Sequence, residues 1–132
     1  MVRPGRIGAL ALHGQPTDLP RVWPLVKASS EFRNLWCVTL MLAHTATGSL
    51  DLFCSPRHAR TFDTSAGLLM VREGGGVVTD LEGRPVDDLP VDLRTRTTLL
   101  CSAHADLHEL GLELLHGREK SSEASVQVRR RV

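Results

Sequence analysis

Thr61-Phe62-Asp63-Thr64-Ser65-Ala66-Gly67-Leu68-Leu69-Met70-Val71-Arg72-Glu73-Gly74-Gly75-Gly76-Val77-Val78-Thr79-Asp80 decides the fold, because it sets an acidic helix start, an apolar helix, a triple-glycine stop and a strand in direct succession. Thr61 is placed to cap the helix. Asp63 falls in its first turn, where unpaired N–H groups and the positive end of the dipole favour a carboxylate. Ala66, Leu69, Met70 and Glu73 follow at helical spacing, and Gly74-Gly75-Gly76 supplies a residue free to take the left-handed conformation that ends a helix. Val77-Val78-Thr79 has strand character, and Leu81-Glu82-Gly83-Arg84-Pro85 has turn chemistry. Helix, tight turn and strand are therefore expected.

Upstream, Ile7-Gly8-Ala9-Leu10-Ala11-Leu12 is a short apolar run that meets His13-Gly14-Gln15-Pro16, the pattern of a buried strand entering a turn. Thr17 or Asp18 then caps a helix to about Ser29, with Pro20 tolerated in the first turn and Pro24 breaking or kinking it. The longest helical pattern runs from Arg33 to Thr47. Leu35, Val38, Leu42 and Ala46 form one stripe with Met41 and Thr45 beside it, so an almost wholly buried helix is expected. Gly48 ends it, Ser49-Leu50-Asp51-Leu52-Phe53-Cys54 alternates as a half-buried strand does, and Ser55-Pro56-Arg57-His58-Ala59-Arg60 reads as a basic loop. Downstream, Arg84 to Arg96 is rich in Pro and Asp and reads as loop. Thr97-Thr98-Leu99-Leu100-Cys101 reads as a strand, and Ala103 to His116 as a terminal helix with Leu107, Leu110 and Leu114 facing in. Asp51 and Asp80 read as strand-end carboxylates that hold turns. This order predicts an α/β domain over residues 1–117, a mixed sheet flanked by helices. Residues 118–132 lack hydrophobic periodicity, end in Arg129-Arg130-Arg131, and are expected to form a disordered basic tail.

The 132 residues fit one domain with its own core. Sixteen basic against fifteen acidic residues leave a net charge of +1, which excludes a dedicated nucleic-acid surface and gives no attraction to a membrane. No run approaches the roughly eighteen apolar residues that a membrane span needs. Cys37, Cys54 and Cys101 are odd in number, lack paired spacing and sit in apolar runs, the usage of free thiols in a reducing, cytoplasmic compartment. Gly-x-Ser-x-Gly, Cys-x-x-Cys and phosphate-loop patterns do not occur. His104 and His108 have the i, i+4 spacing that a zinc site could use, but no third ligand is near in sequence, and an incidental pair is expected.

Asp63-Thr64-Ser65-Ala66-Gly67, preceded by the aromatic Phe62 and followed by Val71-Arg72-Glu73-Gly74-Gly75-Gly76-Val77-Val78-Thr79-Asp80, resembles the C-terminal signature of the inositol monophosphatase family. That signature is an aromatic-Asp-x-Ala-[Ala/Gly]-Gly run followed by x-Glu-Ala-Gly-Gly-x-[Val/Ile]-x-Asp. Phe62 stands where the family has Trp, and Gly74 where it has Ala. Arg33 and the segment Ala46-Thr47-Gly48-Ser49-Leu50-Asp51 resemble the family's R-x-x-G-[ST]-A and A-x-G-x-[AL]-D elements. Leu99-Leu100-Cys101-Ser102-Ala103 resembles the strand before its last helix. The resemblance spans residues 8–116, always in the family's C-terminal half, and implies the fold of that half.

What the resemblance implies chemically is a phosphomonoesterase of inositol or sugar phosphates. In such an enzyme clustered carboxylates hold Mg²⁺ ions that polarise the phosphate and generate a hydroxide nucleophile. Asp63 would be one metal ligand, and no further catalytic residue is implied in this stretch. The family's other ligands come from Gly-Glu-Glu and Asp-Pro-[Ile/Leu]-Asp-Gly-[Thr/Ser] segments, neither of which occurs in these residues, so a weak or incomplete Mg²⁺ site is expected. The competing reading of Asp63 is a helix-start carboxylate serving as cap and dipole partner. On the substrate side the resemblance points to Arg33, Cys37, Val38 and Ser55. The G-[ST]-A element appears as Trp36-Cys37-Val38, and the family's acidic substrate contact falls near Ser55. Trp36 either fills substrate space or packs against Leu40 and the preceding helix as core. Arg57, His58 and Arg60 either neutralise a phosphate or form solvated surface. The expected partners are an N-terminal-half chain or a second copy, and a small phosphate ester once the site is complete; nucleic acid and membrane are not expected. The alternative is a non-catalytic structural or interaction module.

Overall fold

A computed structural model gives residues 6–117 in full and the backbone of the last helix onward to Arg130. The disordered tail expected over 118–132 falls outside the fully described residues. The elements are β1 (Ile7–Leu12), α1 (Leu19–Ala28), β2 (Ser29–Arg33), α2 (Val38–Ala46), β3 (Leu52–Arg60), α3 (Thr61–Glu73), β4 (Val77–Thr79), β5 (Arg96–Ser102) and α4 (Ala105–Arg130). They form a five-stranded mixed sheet of order β2-β1-β3-β5-β4. β1 pairs in parallel with β2 and β3, and β5 pairs antiparallel with β3 and β4. Parallel neighbours need crossover connections, and α1 and α2 supply them.

Because side chains alternate across a strand, each central strand feeds two cores. Ala11, Phe53, Leu99 and Cys101 meet Met41, Leu42 and Val71 of α2 and α3 on one face. Leu10, Leu52, Cys54 and Leu100 meet Val22 and Leu25 of α1 and the leucines of α4 on the other. Phe53 is fully buried at the centre, where truncation to Ala costs about 3–5 kcal/mol. Among the described residues no helix is long and apolar enough to cross a membrane.

Four expectations are corrected. The helix foreseen from Arg33 is a strand followed by a shorter helix. β2 is an edge strand, exposed from Ser30 to Arg33, so Ser29-Ser30-Glu31-Phe32-Arg33 carries no apolar alternation and backbone pairing to β1 holds it. Trp36 then lies in the left-handed region at φ 55°, which breaks any helix, and α2 starts at Val38. Nor is α2 wholly buried: Met41, Leu42 and Thr45 face in, while Leu40 is exposed. The basic loop is the second half of β3.

The third correction concerns the phase of α3. Its buried stripe is Thr64, Gly67 and Val71, and Ala66, Leu69, Met70 and Glu73 lie on the exposed side. Gly67 sets that phase, because a Cβ there would run into the Leu42 side chain, and its absence lets α2 and α3 approach closely. The fourth is the cap: Arg60 occupies the N-cap position, and the Thr61 hydroxyl donates instead to Pro90 O at 2.6 Å. The triple glycine acts as foreseen. Gly75 takes φ +83°, and Gly76 passes so close to β5 that a Cβ would stand 2.5 Å from Ser102 O. Asp80 accepts the N–H groups of Glu82 and Arg84 in the following turn, whereas Asp51 accepts Ala9 N across the sheet.

Candidate functional site

β1 leads into α1 on one face of the sheet, and its neighbour β3 leads into α3 on the other. The chain thus diverges at the carboxyl ends of two adjacent parallel strands, the place where an open α/β sheet leaves a crevice. A cavity of about 470 Å³ lies there, with His13, Val38, Arg57, Arg60, Asp63 and Arg96 on its walls.

The strands aim those side chains. His13 N donates to Cys54 O at 3.0 Å, extending the β1–β3 ladder by one residue. β3 then bulges: the step from Ser55 to Ala59 faces the shorter step from Leu99 to Thr97 on β5, with Pro56 in the irregular segment where a ladder donor is not needed. The Ser55 hydroxyl closes the bulge by donating to Arg57 O at 2.7 Å, which turns Arg57 and His58 outward. Ser55 Oγ also lies 3.0 Å from His13 Nδ1. Since the serine hydrogen is committed to Arg57 O, Nδ1 carries the proton and donates, and Nε2 keeps a free lone pair. Burial lowers the pKa of His13, the charge of Arg57 lowers it further, and Asp18 opposes both.

α3 presents Asp63 in its first turn, and Arg60 Nε donates to Asp63 Oδ2 at 2.7 Å. Arg60 and Arg96 are register partners on β3 and β5, a like-charge juxtaposition that disfavours the sheet unless an anion offsets it. Asp63 offsets Arg60. Among the described residues Arg57 and Arg96 have no carboxylate within 4.0 Å. The cavity is therefore cationic, with one carboxylate and the imidazoles of His13 and His58 on its walls. These residues alone do not fit a divalent metal centre, which takes about six oxygen ligands. Asp63 is a single carboxylate held by a guanidinium, and among the described residues no group of three or more His, Cys, Asp or Glu is placed to hold an ion.

The structure brings Val38 and Asp63 to the cavity wall. Cys37 is exposed beside Val38 at the N-cap of α2, and Ser55 is fully buried behind His13. Arg33 lies outside the cavity at the end of β2, paired with Glu31 at 2.7 Å. Trp36 is 72% exposed, so the indole is not core. His104 and His108 do not form a pair: His104 is exposed, whereas His108 is buried with Nε2 2.9 Å from Thr79 Oγ1.

The inositol monophosphatase family model matches residues 12–120, most of the chain. The chain belongs to the inositol monophosphatase family. A fructose-1,6-bisphosphatase/inositol-1-monophosphatase of Methanothermobacter thermautotrophicus is 36% identical over 100 residues, covering 75% of this chain and 35% of that protein. Its namesake from Thermococcus kodakarensis is 36% identical over 92 residues, 69% of this chain and 36% of that protein. A staphylococcal inositol monophosphatase II bound to 2′-AMP superposes with a TM-score of 0.71 at 18% identity, over 99% of this chain and 49% of that chain, a likeness of fold alone. The chain thus spans about a third of the length of these curated relatives.

Within this inositol monophosphatase fold, sequence reasoning missed His13 and Arg96. The sequence reading places them in a turn and at the end of a loop. The signal for His13 was available in its position, the first residue beyond a parallel strand, where such sheets place ligand contacts. Arg96 carried none, since only the β3–β5 register sets it opposite Arg60.

Proposed function

We propose that these residues form the Asp63-bearing C-terminal half of a Mg²⁺-dependent phosphomonoesterase acting on an inositol or sugar phosphate. The remaining metal ligands come from the segment corresponding to the N-terminal half of the relatives, whether supplied in the same polypeptide or by a partner chain. The observation that carries the reading is the meeting of Asp63 with Arg57, Arg60 and Arg96 around one cavity at the sheet's divergence point, on a fold of this family. The guanidiniums draw in a phosphate ester. Asp63 would supply one carboxylate oxygen to a cation held mainly by ligands of that other half, in place of its bond to Arg60. Trp36 stands at the family's glycine position with its indole exposed. Three free cysteines fit a reducing, cytoplasmic setting.

The test compares the chain alone with the chain joined to a half carrying Gly-Glu-Glu and Asp-Pro-x-Asp-Gly-Thr. The chain alone should hydrolyse inositol 1-phosphate or fructose bisphosphate no faster than a blank. The joined form should show Mg²⁺-dependent turnover that Asp63→Asn removes. Turnover indifferent to Asp63 would refute the assignment. One observation favours a second reading, a non-catalytic module: the Arg60–Asp63 pair satisfies the carboxylate without any metal. Absence of turnover in the joined form would support it.

A further inference from the structure

A second cavity, of about 380 Å³, lies between the turn that follows β4 and the start of β5. Arg96 and His58 face both cavities, whereas Asp80, Arg84 and Thr98 line the second and not the first. Its polar groups have hydrogens to give and no acceptor to spare. Asp80 is filled: Oδ1 takes the N–H groups of Glu82 and Arg84, and Oδ2 takes Arg84 Nε at 2.9 Å. That last bond holds Arg84 by one edge, and among the described residues its two terminal nitrogens make no hydrogen bond. The Arg96 guanidinium has no partner among the described residues either. Thr98 is only 7% exposed, and its Oγ1 accepts Leu81 N at 3.1 Å, which leaves the hydroxyl hydrogen without an acceptor among the described residues. A buried donor left unanswered is costly, and two guanidiniums stand against one carboxylate. What answers such walls must carry negative charge and accept several hydrogen bonds, which describes an oxyanion.

We propose that this cavity is a second oxyanion site, separate from the one that faces Asp63, in which Arg84, Arg96 and the Thr98 hydroxyl hold the phosphate or carboxylate group of a small ligand. Pro85, Val86 and Leu89 form the apolar part of the wall and receive the carbon body of that ligand. The inference goes beyond the phosphomonoesterase reading and does not depend on it, because two of the three residues that carry it do not line the first cavity. Each plays a different part. Asp80 positions Arg84 through its Nε, Arg96 brings the charge that no carboxylate offsets, and Thr98 adds a directed bond from a side chain that is itself buried.

The test uses the full chain labelled with ¹⁵N and titrated, without divalent cation and at constant ionic strength, with inorganic phosphate and separately with acetate. Proton–nitrogen spectra follow Arg84 Nε–H and the Thr98 amide for the second cavity, and the Arg57 and Asp63 amides for the first. Saturable shifts at Arg84 and Thr98 are expected; saturation by phosphate alone assigns phosphoryl ligands, and by acetate alone carboxylates. Arg84→Gln should weaken binding at the second cavity roughly tenfold, the worth of a charged hydrogen bond, and leave the responses of Arg57 and Asp63 as they were. Arg96→Gln should weaken both cavities. Thr98→Val removes no charge, yet it should also weaken the second cavity roughly tenfold, and Thr98→Ser should restore it. Shifts that grow in proportion to concentration without saturating would reveal only general attraction to a cationic surface and would overturn the proposal. So would saturation confined to Arg57 and Asp63, equal loss at both cavities in Arg84→Gln, or parental affinity in Thr98→Val. If Thr98→Val fails to fold, Arg84→Lys decides: it keeps the charge but loses the planar fork, so affinity should fall several-fold, and parental affinity would refute the site.

Discussion

Trp36→Gly tests through stability whether the indole belongs to the core. The indole is 72% exposed, so only about a quarter of its surface is covered, and losing that contact costs about 1–1.5 kcal/mol at most. Against this, an L-residue at φ 55° carries strain of about 1–2 kcal/mol, which glycine relieves. Glycine gives back about 0.5–1 kcal/mol through its freer unfolded chain. The contributions nearly cancel, so the variant should lie within about 1 kcal/mol of the parent, a melting shift of no more than about 4 °C for a domain of this size. A core indole would instead cost about 3–5 kcal/mol. Trp36→Ala sharpens the test, because it removes the same contacts but keeps a Cβ in the left-handed region. Glycine should therefore be the more stable of the two by about 1 kcal/mol, the reverse of the order inside a helix. Urea unfolding of the three proteins measures both differences. A glycine variant destabilised by 3 kcal/mol or more, or an alanine variant as stable as glycine, would refute the argument.

Burial lowers the pKa of both His108 and His13 below the ordinary 6.5, and Arg57 adds to the effect at His13. Folding therefore favours the neutral rings: their stability is full above pH 6.5 and is lost as pH falls from there toward the folded values. Urea unfolding at pH 7, 6 and 5 should show this decline, and His108→Leu should flatten it; a stability that rises on acidification would contradict the assignment. At neutral pH that substitution should cost little, because it removes a buried Nδ1 that has no partner. Gly75→Ala should cost about 1 kcal/mol for its positive φ, and Gly76→Ala about 1–3 kcal/mol because Ser102 O is backbone and yields poorly, both read by thermal unfolding. Phe62, Leu69 and Met70 on α3 and Leu40 on α2 expose apolar surface on one side of the sheet, and the chain should self-associate through it. Light scattering that shows a monodisperse monomer at high concentration, with no hydrophobic-dye binding, would count against that.

The centre of the fold was legible because its signals are local and agree with one another. The run from Thr61 to Thr79 joins helix, glycine stop and strand, and the structure reproduces it element for element. Phase was not legible. Ala66, Leu69 and Met70 have the same spacing as Thr64, Gly67 and Val71, and only the close approach of Leu42 at Gly67 selects which stripe turns inward. β2 escaped because an exposed edge strand owes its existence to its neighbour β1, and no pattern within Ser29–Arg33 records that pairing. At the site, Asp63 and Val38 were read from the family signature. The partnership of His13, Ser55 and Arg57 was hidden because forty-two residues separate the first two, and only parallel pairing of β1 with β3 joins them.

The bulge in β3 divides that strand into two lengths with different obligations. Leu52, Phe53 and Cys54 are flanked by β1 on one side and β5 on the other, so any slip there would turn both cores inside out. Ala59 and Arg60 have β5 as a neighbour and open space where β1 has ended. Insertions or replacements around Arg57 and His58 can thus re-aim the charges at the crevice without disturbing the buried ladder. The strand separates a length fixed by two neighbours from one fixed by a single neighbour.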